Sequence, residues 1–285
     1  MALATLKAVL TPALSQGYAV AGLVVLGWED ALAYVQAAER LRCPVILQAG
    51  PGCRAHTPLP VLAAMFRQLA DHADVPVVAH LDHGRTLDEC WQALDVGFSS
   101  VMYDGSRAPL SGNIAETAAV VRRAQAYGVS VEGELGAVGY SGAADGAPTD
   151  PQQAQVFCRE TGVDALAVAV GNRHLQTEPI AVIDRDRLGR IAALTAGVPL
   201  VLHGGSGVPV ATRRELARDT AVCKFNIGTE LRRHFGAALR ARLAADPNVF
   251  DRNAILQPLL PGMVAATERV LQALCPTGVA DERHA

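Results

Sequence analysis

The sequence predicts a closed (β/α)8 barrel, and three observations carry that prediction. Short segments rich in Val, Ile and Leu alternate eight times with amphipathic stretches of about ten to fifteen residues, the arithmetic of eight parallel strands wrapped by helices. The 285 residues suit one such domain, since α/β barrels of about 250 residues are routinely a single unit. The rival, an open doubly wound sheet, carries a Gly-x-Gly-x-x-Gly turn after its first strand, and none stands there.

Taken in order, residues 2–15 place Leu3, Leu6, Val9, Leu10 and Leu14 at helical spacing and stop before Gly17, which predicts a helix closing one end of the barrel. Strands are expected at 18–26, 44–49, 76–82, 98–104, 129–135, 164–170, 198–203 and 221–227. Helices are expected at 29–42, 58–73, 86–96, 112–127, 151–161, 184–196, 209–218 and 229–245. Thr86, Ser111 or Asn113, and Asp150 before Pro151 offer N-cap chemistry. The small-residue stretch 136–149 reads as a mobile loop over the site. The barrel proper spans about 16–245 of one domain. A helical tail, about 247–276, exceeds the barrel's needs and is offered to a partner subunit, while 277–285 are polar and frayed.

Composition narrows the function. Half of the residues are hydrophobic, 19% are charged and the formal net charge is −3, with no block of like charge to meet nucleic acid or a membrane surface. A small-molecule substrate follows. The first ten residues lack the pattern of a signal peptide and no apolar run reaches the roughly 18 to 20 residues of a membrane span, so a soluble cytoplasmic enzyme is expected. Cys43, Cys53, Cys90, Cys158, Cys223 and Cys275 form no Cys-x-x-Cys pair, which points to reduced, buried thiols. Only Lys7 and Lys224 are lysines among the 25 basic side chains.

The polar residues gather at the strand exits, where barrels place their chemistry. Strand three ends in Asp82-His83, strand four in Asp104 and strand five in Glu132 and Glu134. His174 follows strand six, His203-Gly204-Gly205-Ser206-Gly207 closes strand seven, and Asn226-Ile227-Gly228-Thr229 closes strand eight. Each histidine alone is as readily a satisfied core or surface residue. Three converging on one barrel mouth, with carboxylates beside them, suit a zinc ion with an open position. The two glycine-containing turns stand at the exits where barrels cradle phosphate on backbone N–H groups.

These motifs, Ala79-His80-Leu81-Asp82-His83-Gly84, Val101-Met102-Tyr103-Asp104-Gly105-Ser106, Val131-Glu132-Gly133-Glu134-Leu135-Gly136, Leu202-His203-Gly204-Gly205-Ser206-Gly207 and Lys224-Phe225-Asn226-Ile227-Gly228-Thr229-Glu230-Leu231, resemble those of the class II, zinc-dependent fructose-bisphosphate and tagatose-bisphosphate aldolases. The resemblance spans roughly residues 5–245 of a TIM barrel. It implies a zinc ion on His83, His174 and His203, and a second or alternate site for a divalent or monovalent cation at Asp104 and Glu134. It implies Asp82 as the acid/base, and Gly204, Gly205, Ser206, Asn226, Ile227, Gly228 and Thr229 around the phosphate and hydroxyls of dihydroxyacetone phosphate. It also implies a homodimer or homotetramer. The chemistry agrees: cleaving a carbon–carbon bond beside a ketone leaves an enediolate that a Lewis acid stabilises, and the departing alkoxide needs a base.

The departures are specific. The family's Phe-Asn pair after strand one is Leu23-Val24 here, the Ser ending strand two is Gly50, and Gly-Thr-x-His-Gly becomes Gly171-Asn172-Arg173-His174-Leu175. The loop's Glu-Asp pair falls near Gly142 and Ala143, leaving Asp145 or Tyr140 to move the carbon-bound proton. Arg54 or Arg173 is available for a different anionic group. Three rivals remain open at this point: a Schiff-base aldolase on Lys224, a metal-dependent isomerase, epimerase or hydrolase on the same barrel, and a degenerate barrel that binds a sugar phosphate without turnover.

Overall fold

Valine- and leucine-rich segments become strands without alternating because a parallel barrel buries both of their faces, one in the interior and one under helices. The computed structural model describes residues 3–142, 146–195 and 197–279. Its barrel closes in the order β1 (Val20–Val24), β2 (Val45–Ala49), β3 (Val77–Gly84), β4 (Ser100–Tyr103), β5 (Ser130–Leu135), β7 (Ala165–Val168), β9 (Leu200–Leu202) and β10 (Val222–Ile227), which returns to β1. Every pairing is parallel. Two strands absent from the expected set, β6 (Gly139–Tyr140) and β8 (Arg173–His174), pair outside the barrel as a short ribbon. Both are too brief to leave a periodic signal in sequence.

The helices are α1 (Leu6–Gln16), α2 (Trp28–Leu41), α3 (Pro51–His56), α4 (Leu59–His72), α5 (Leu87–Asp95), α6 (Leu110–Tyr127), α7 (Pro151–Thr161), α8 (Arg185–Leu194), α9 (Val210–Asp219), α10 (Thr229–Ala245), α11 (Arg252–Leu256) and α12 (Leu260–Gln272). The expected α5 and α7 caps are present: the Thr86 hydroxyl accepts from Glu89 N–H and the Asp150 carboxylate from Gln153 N–H. Each such cap contributes about 1 kcal/mol. The expected cap of α6 is corrected. That helix starts earlier, behind Pro109, and Asn113 inside it donates instead to the Glu134 carbonyl at 2.9 Å.

Helix α1 plugs the N-terminal end of the barrel. Ala4 N–H donates to the Val77 carbonyl and Lys7 N–H to the Ser130 hydroxyl, at the starts of β3 and β5. Leu6, Val9 and Leu10 are fully buried beneath the strands, each stabilising by about 1.5–3 kcal/mol.

The tail is not spare. Helix α12 packs along α2 with Met263, Val264, Val270 and Leu271 buried, and the Leu274 carbonyl accepts from Ala19 N–H ahead of β1. Its apolar face is used within the chain, which corrects the reading of this segment as free for a partner. Helix α10 is the contrast, because Leu231 alone of its 17 residues is buried. No described helix is long and apolar enough to cross a membrane. All six cysteines are free and buried, as composition implied.

Candidate active site

The exits of β3, β9 and the β8 ribbon bring three imidazoles together. Ring centroids of His83 and His203 lie 4.6 Å apart, His83 and His174 5.1 Å, and His174 and His203 5.6 Å. Each ring offers a nitrogen within 4.8 Å of the others, and a second trio, His83, Asp104 and Glu134, meets the same measure. Five separate segments of sequence, at His83, Asp104, Glu134, His174 and His203, thus deliver the predicted donors to one mouth.

The hydrogen bonds show which nitrogens face inward. His83 Nδ1 is 2.8 Å from Asp104 Oδ2, while His83 Nε2 is buried without a partner. His203 Nε2 is 3.0 Å from Glu132 Oε1, while His203 Nδ1 is buried without a partner. Glu134 Oε2 is a third buried atom lacking a hydrogen bond. Buried polar atoms are nearly always satisfied, so three orphans on residues that cluster within ligand reach, with His203 Nδ1 3.6 Å from Glu134 Oε2, fit a cation. A metal-bound histidine also normally gives its other nitrogen to a carboxylate, as both rings do here.

Electrostatics point the same way. Burial works against a charged His83, yet the carboxylates of Asp82, Asp104 and Glu134 outweigh it and lift its pKa to about 9. Burial followed by the positive charge of His83 pushes His174 down to about 4 and His203 well below the usual histidine range. Burial lifts Glu134 to about 8. The cluster therefore favours one positive charge among its acids and holds the other two rings neutral, the form that ligates metal.

Asp82 stands beside the cluster, 6% exposed. Its Oδ1 accepts from Gln48 Nε2 at 3.2 Å and from Asn226 Nδ2 at 3.1 Å. Its Oδ2 lies only 3.3 Å from where a Cβ on Gly50 would stand, so the missing side chain at 50 leaves that oxygen open to the cavity. Gly204, Ser206, Asn226, Gly228 and Thr229 line this cavity with Asp82, His83 and His174. Gly205 and Ile227 do not line it; both are buried behind it. The opposite wall is Val24, Leu26, Gly50, Pro51, Gly52 and Cys53, with half-buried Arg232 also in the lining.

The two glycine-containing turns are stitched together. Ser206 Oγ accepts from the N–H groups of Gly228 and Glu230, which ties the β9 turn to the start of α10. Buried Arg213 donates to the Val208 carbonyl and to the Glu230 carboxylate. Gly204 adopts φ +65°, and a Cβ there would sit 2.0 Å from the Arg173 carbonyl, so the turn passes the His174 ribbon only as glycine. Leu175, where the family pattern has glycine, nevertheless takes φ +58°.

Several important contacts were not legible, although their residues stand in the strand-exit motifs. Beneath the cluster Lys224 Nζ is 2.6 Å from Glu132 Oε2 and 3.3 Å from His80 Nε2, with all three side chains fully buried. Two signals were available: Glu132 and Glu134 share a face at strand spacing, and one of only two lysines sits within an apolar strand. Asn172 bridges β7 to the β9 exit through the carbonyls of Val168 and His203. The expectation that Arg54 meets an anionic group of the substrate is corrected. Arg54 is spent on backbone carbonyls, and Arg173 lines a neighbouring groove rather than the Asp82 cavity. Asp145 lies outside the described residues. Tyr140 is placed beside the site by the β6–β8 ribbon, its ring 4.9 Å from that of His174.

Residues 4–279 match the class-II fructose-bisphosphate aldolase family. The chain belongs to that family. As a class II aldolase it is a lyase that carries out metal-dependent aldol cleavage, and the isomerase, hydrolase, Schiff-base and non-catalytic readings fall away. Lys224, which the Schiff-base reading required, is committed to a buried ion pair. The chain is 37% identical to the fructose-bisphosphate aldolase of Geobacillus stearothermophilus over 90% of its own length and 92% of that protein. It is 36% identical to the 6-phospho-5-dehydro-2-deoxy-D-gluconate aldolase of Halalkalibacterium halodurans, covering 99% and 100%. The crystal structure of the YdjI aldolase from Escherichia coli K12 superposes with a TM-score of 0.86 at 29% identity, covering 98% and 99% of the two chains.

Proposed function

We propose that this aldolase cleaves a ketose phosphate to dihydroxyacetone phosphate and an aldehyde, using zinc held by His83, His174 and His203 and Asp82 as acid/base. The observation that carries the reading is the pair of bare imidazole nitrogens on His83 and His203, converging beside a carboxylate whose second oxygen is open. Three imidazoles suit zinc among the common divalent ions, and the ion would displace the proton that His83 carries without it. When bound, the ion would supply Lewis acidity to the charge that develops beside the ketone. Asp104 and Glu134 offer an alternate cation position with His83.

The chain's own groups account for the remaining steps. Gln48 and Asn226 orient Asp82 so that its open oxygen takes the proton of the hydroxyl at the breaking bond and later returns it. Backbone N–H groups of the cavity-lining residues Gly204, Ser206 and Thr229 offer a phosphate site. The far wall, from Val24 to Cys53, is small and apolar where the family pattern is polar, so the aldehyde end differs from that of fructose bisphosphate.

The test is bound-metal analysis with a retro-aldol assay on a panel of ketose phosphates. About one zinc per chain, lost in His83→Ala, with chelator-sensitive release of dihydroxyacetone phosphate, is expected. Release that survives exhaustive chelation would sink the reading.

Tyr140 is assigned the carbon-bound proton, since it lines the same cavity with its ring 4.9 Å from that of His174 and its hydroxyl makes no hydrogen bond with the described residues. Tyr140→Phe is expected to slow solvent-deuterium incorporation into dihydroxyacetone phosphate by about 10²-fold or more. Unchanged incorporation would remove Tyr140 from that role.

A homodimer or homotetramer is supported by the thinly packed α10 and by Phe250 just beyond it, 94% exposed. Light scattering is expected to return a multiple of 29.9 kDa; the monomer mass would refute it.

A further inference from the structure

Asp82 and His83 are consecutive residues of β3, and consecutive strand residues point to opposite faces. Here both line one cavity. The strand achieves this by breaking its ladder. Pairing with β4 shifts between Leu81 and Gly84, and pairing with β2 stops at Ala49 opposite Leu81. His83 takes φ +52°, a left-handed conformation rare for a residue with a side chain, and its N–H meets only the Met102 sulfur, at 3.4 Å. Irregularities of this kind re-aim side chains beside active sites.

One side chain satisfies the carbonyls that the irregularity releases. Arg54 stands on α3 just past β2, its side chain 9% exposed. Nη1 donates to the carbonyls of Ala49 at 2.7 Å and Asp82 at 2.6 Å. Nη2 donates to the His83 carbonyl at 3.0 Å and, at 3.4 Å, to the Glu89 carboxylate. Glu89 also accepts from Arg85 N–H at 2.7 Å, so the chain is clamped on both sides of Gly84. A planar fork spanning three carbonyls of two strands is a task for guanidinium, and an ammonium group cannot reproduce it.

We infer that Arg54 is the positioning residue of the metal centre: it holds the re-aimed end of β3, and through it His83 and Asp82, without touching metal or substrate. The inference rests on the assignment of His83 as a ligand. Without the fork, the carbonyls of Ala49, Asp82 and His83 lose this donor, and the bond from His83 to Asp104 is left to oppose relaxation of His83 toward an extended conformation, which would swing its ring out of the trio.

The experiment is titration of the metal-free protein with Co2+, read by visible absorption, for the native chain, Arg54→Ala, Arg54→Lys and His83→Ala. Arg54→Ala is expected to bind Co2+ about 10- to 100-fold more weakly, with an altered ligand-field band. Millimolar guanidinium, which returns the missing fork, is expected to restore part of both. Arg54→Lys is expected to fall between, and it carries the comparison should the alanine variant not fold. Native affinity and an unchanged band in the arginine variants would overturn the positioning role. Failure of the native chain to take up Co2+, or equal uptake by His83→Ala, would instead overturn the ligand assignment beneath it.

Discussion

Asp82→Asn is expected to lower kcat for ketose-phosphate cleavage by about 10²- to 10⁴-fold, the usual range for losing a general acid/base, with metal content unchanged. Asparagine retains the shape and an oxygen able to accept from Gln48 and Asn226, which hold the native carboxylate at 3.2 and 3.1 Å. What it removes is a base on the open side facing Gly50. Exchange of the carbon-bound proton of dihydroxyacetone phosphate with solvent asks nothing of that base, so it is expected to persist in Asp82→Asn and to fail in Tyr140→Phe. The two variants together would divide the reaction into its two proton transfers. A parallel loss of both activities in Asp82→Asn would show that the residue supports the site rather than the hydroxyl proton.

The largest effect on stability is expected at Lys224. Lys224→Met leaves the Glu132 carboxylate fully buried without its ion-pair partner, and breaking a buried pair from one side costs about 3–5 kcal/mol. Denaturant unfolding checks the magnitude, and the double variant Lys224→Met, Glu132→Gln is expected to lose less than the sum of the two singles, because it removes the uncompensated charge. The same substitution should weaken metal binding, since Glu132 Oε1 is the partner of His203 Nε2 and sets which nitrogen faces the cluster. A single variant as stable as the native chain would refute the ion pair's role in stability.

Much of this was legible along the chain. The eight β/α units follow from period and punctuation, because a fully buried parallel strand must be a short apolar run and the helix after it must show a polar face. Asp82, His83, Asp104, Glu134 and His203 were legible because each interrupts or ends an apolar strand, where a polar side chain has little reason to be unless it works there. The limits are equally physical. Residues 139–140 and 173–174 pair only because the barrel brings them together, so β6 and β8 leave no local pattern. Arg54 follows Cys53 on the short helix α3, and nothing local shows that its guanidinium spans β2 and β3. The tail looked spare because sequence shows an amphipathic face without showing what covers it, and here α2 does.

The sequence by itself determined the barrel, its strand-exit chemistry and its membership in the class II aldolases, because those depend on residue type and order. The tertiary structure alone decided which nitrogens of His83 and His203 are left bare, which carboxylate each ring leans on, and that the only lysine inside the barrel is an internal counter-ion. It also decided that two neighbours on β3 share one mouth. These are relations between residues up to 144 positions apart, such as Asn226 with Asp82 and Lys224 with His80. Closing the barrel sets distances of 3 to 5 Å between such residues, and no local pattern in a chain encodes a distance across it.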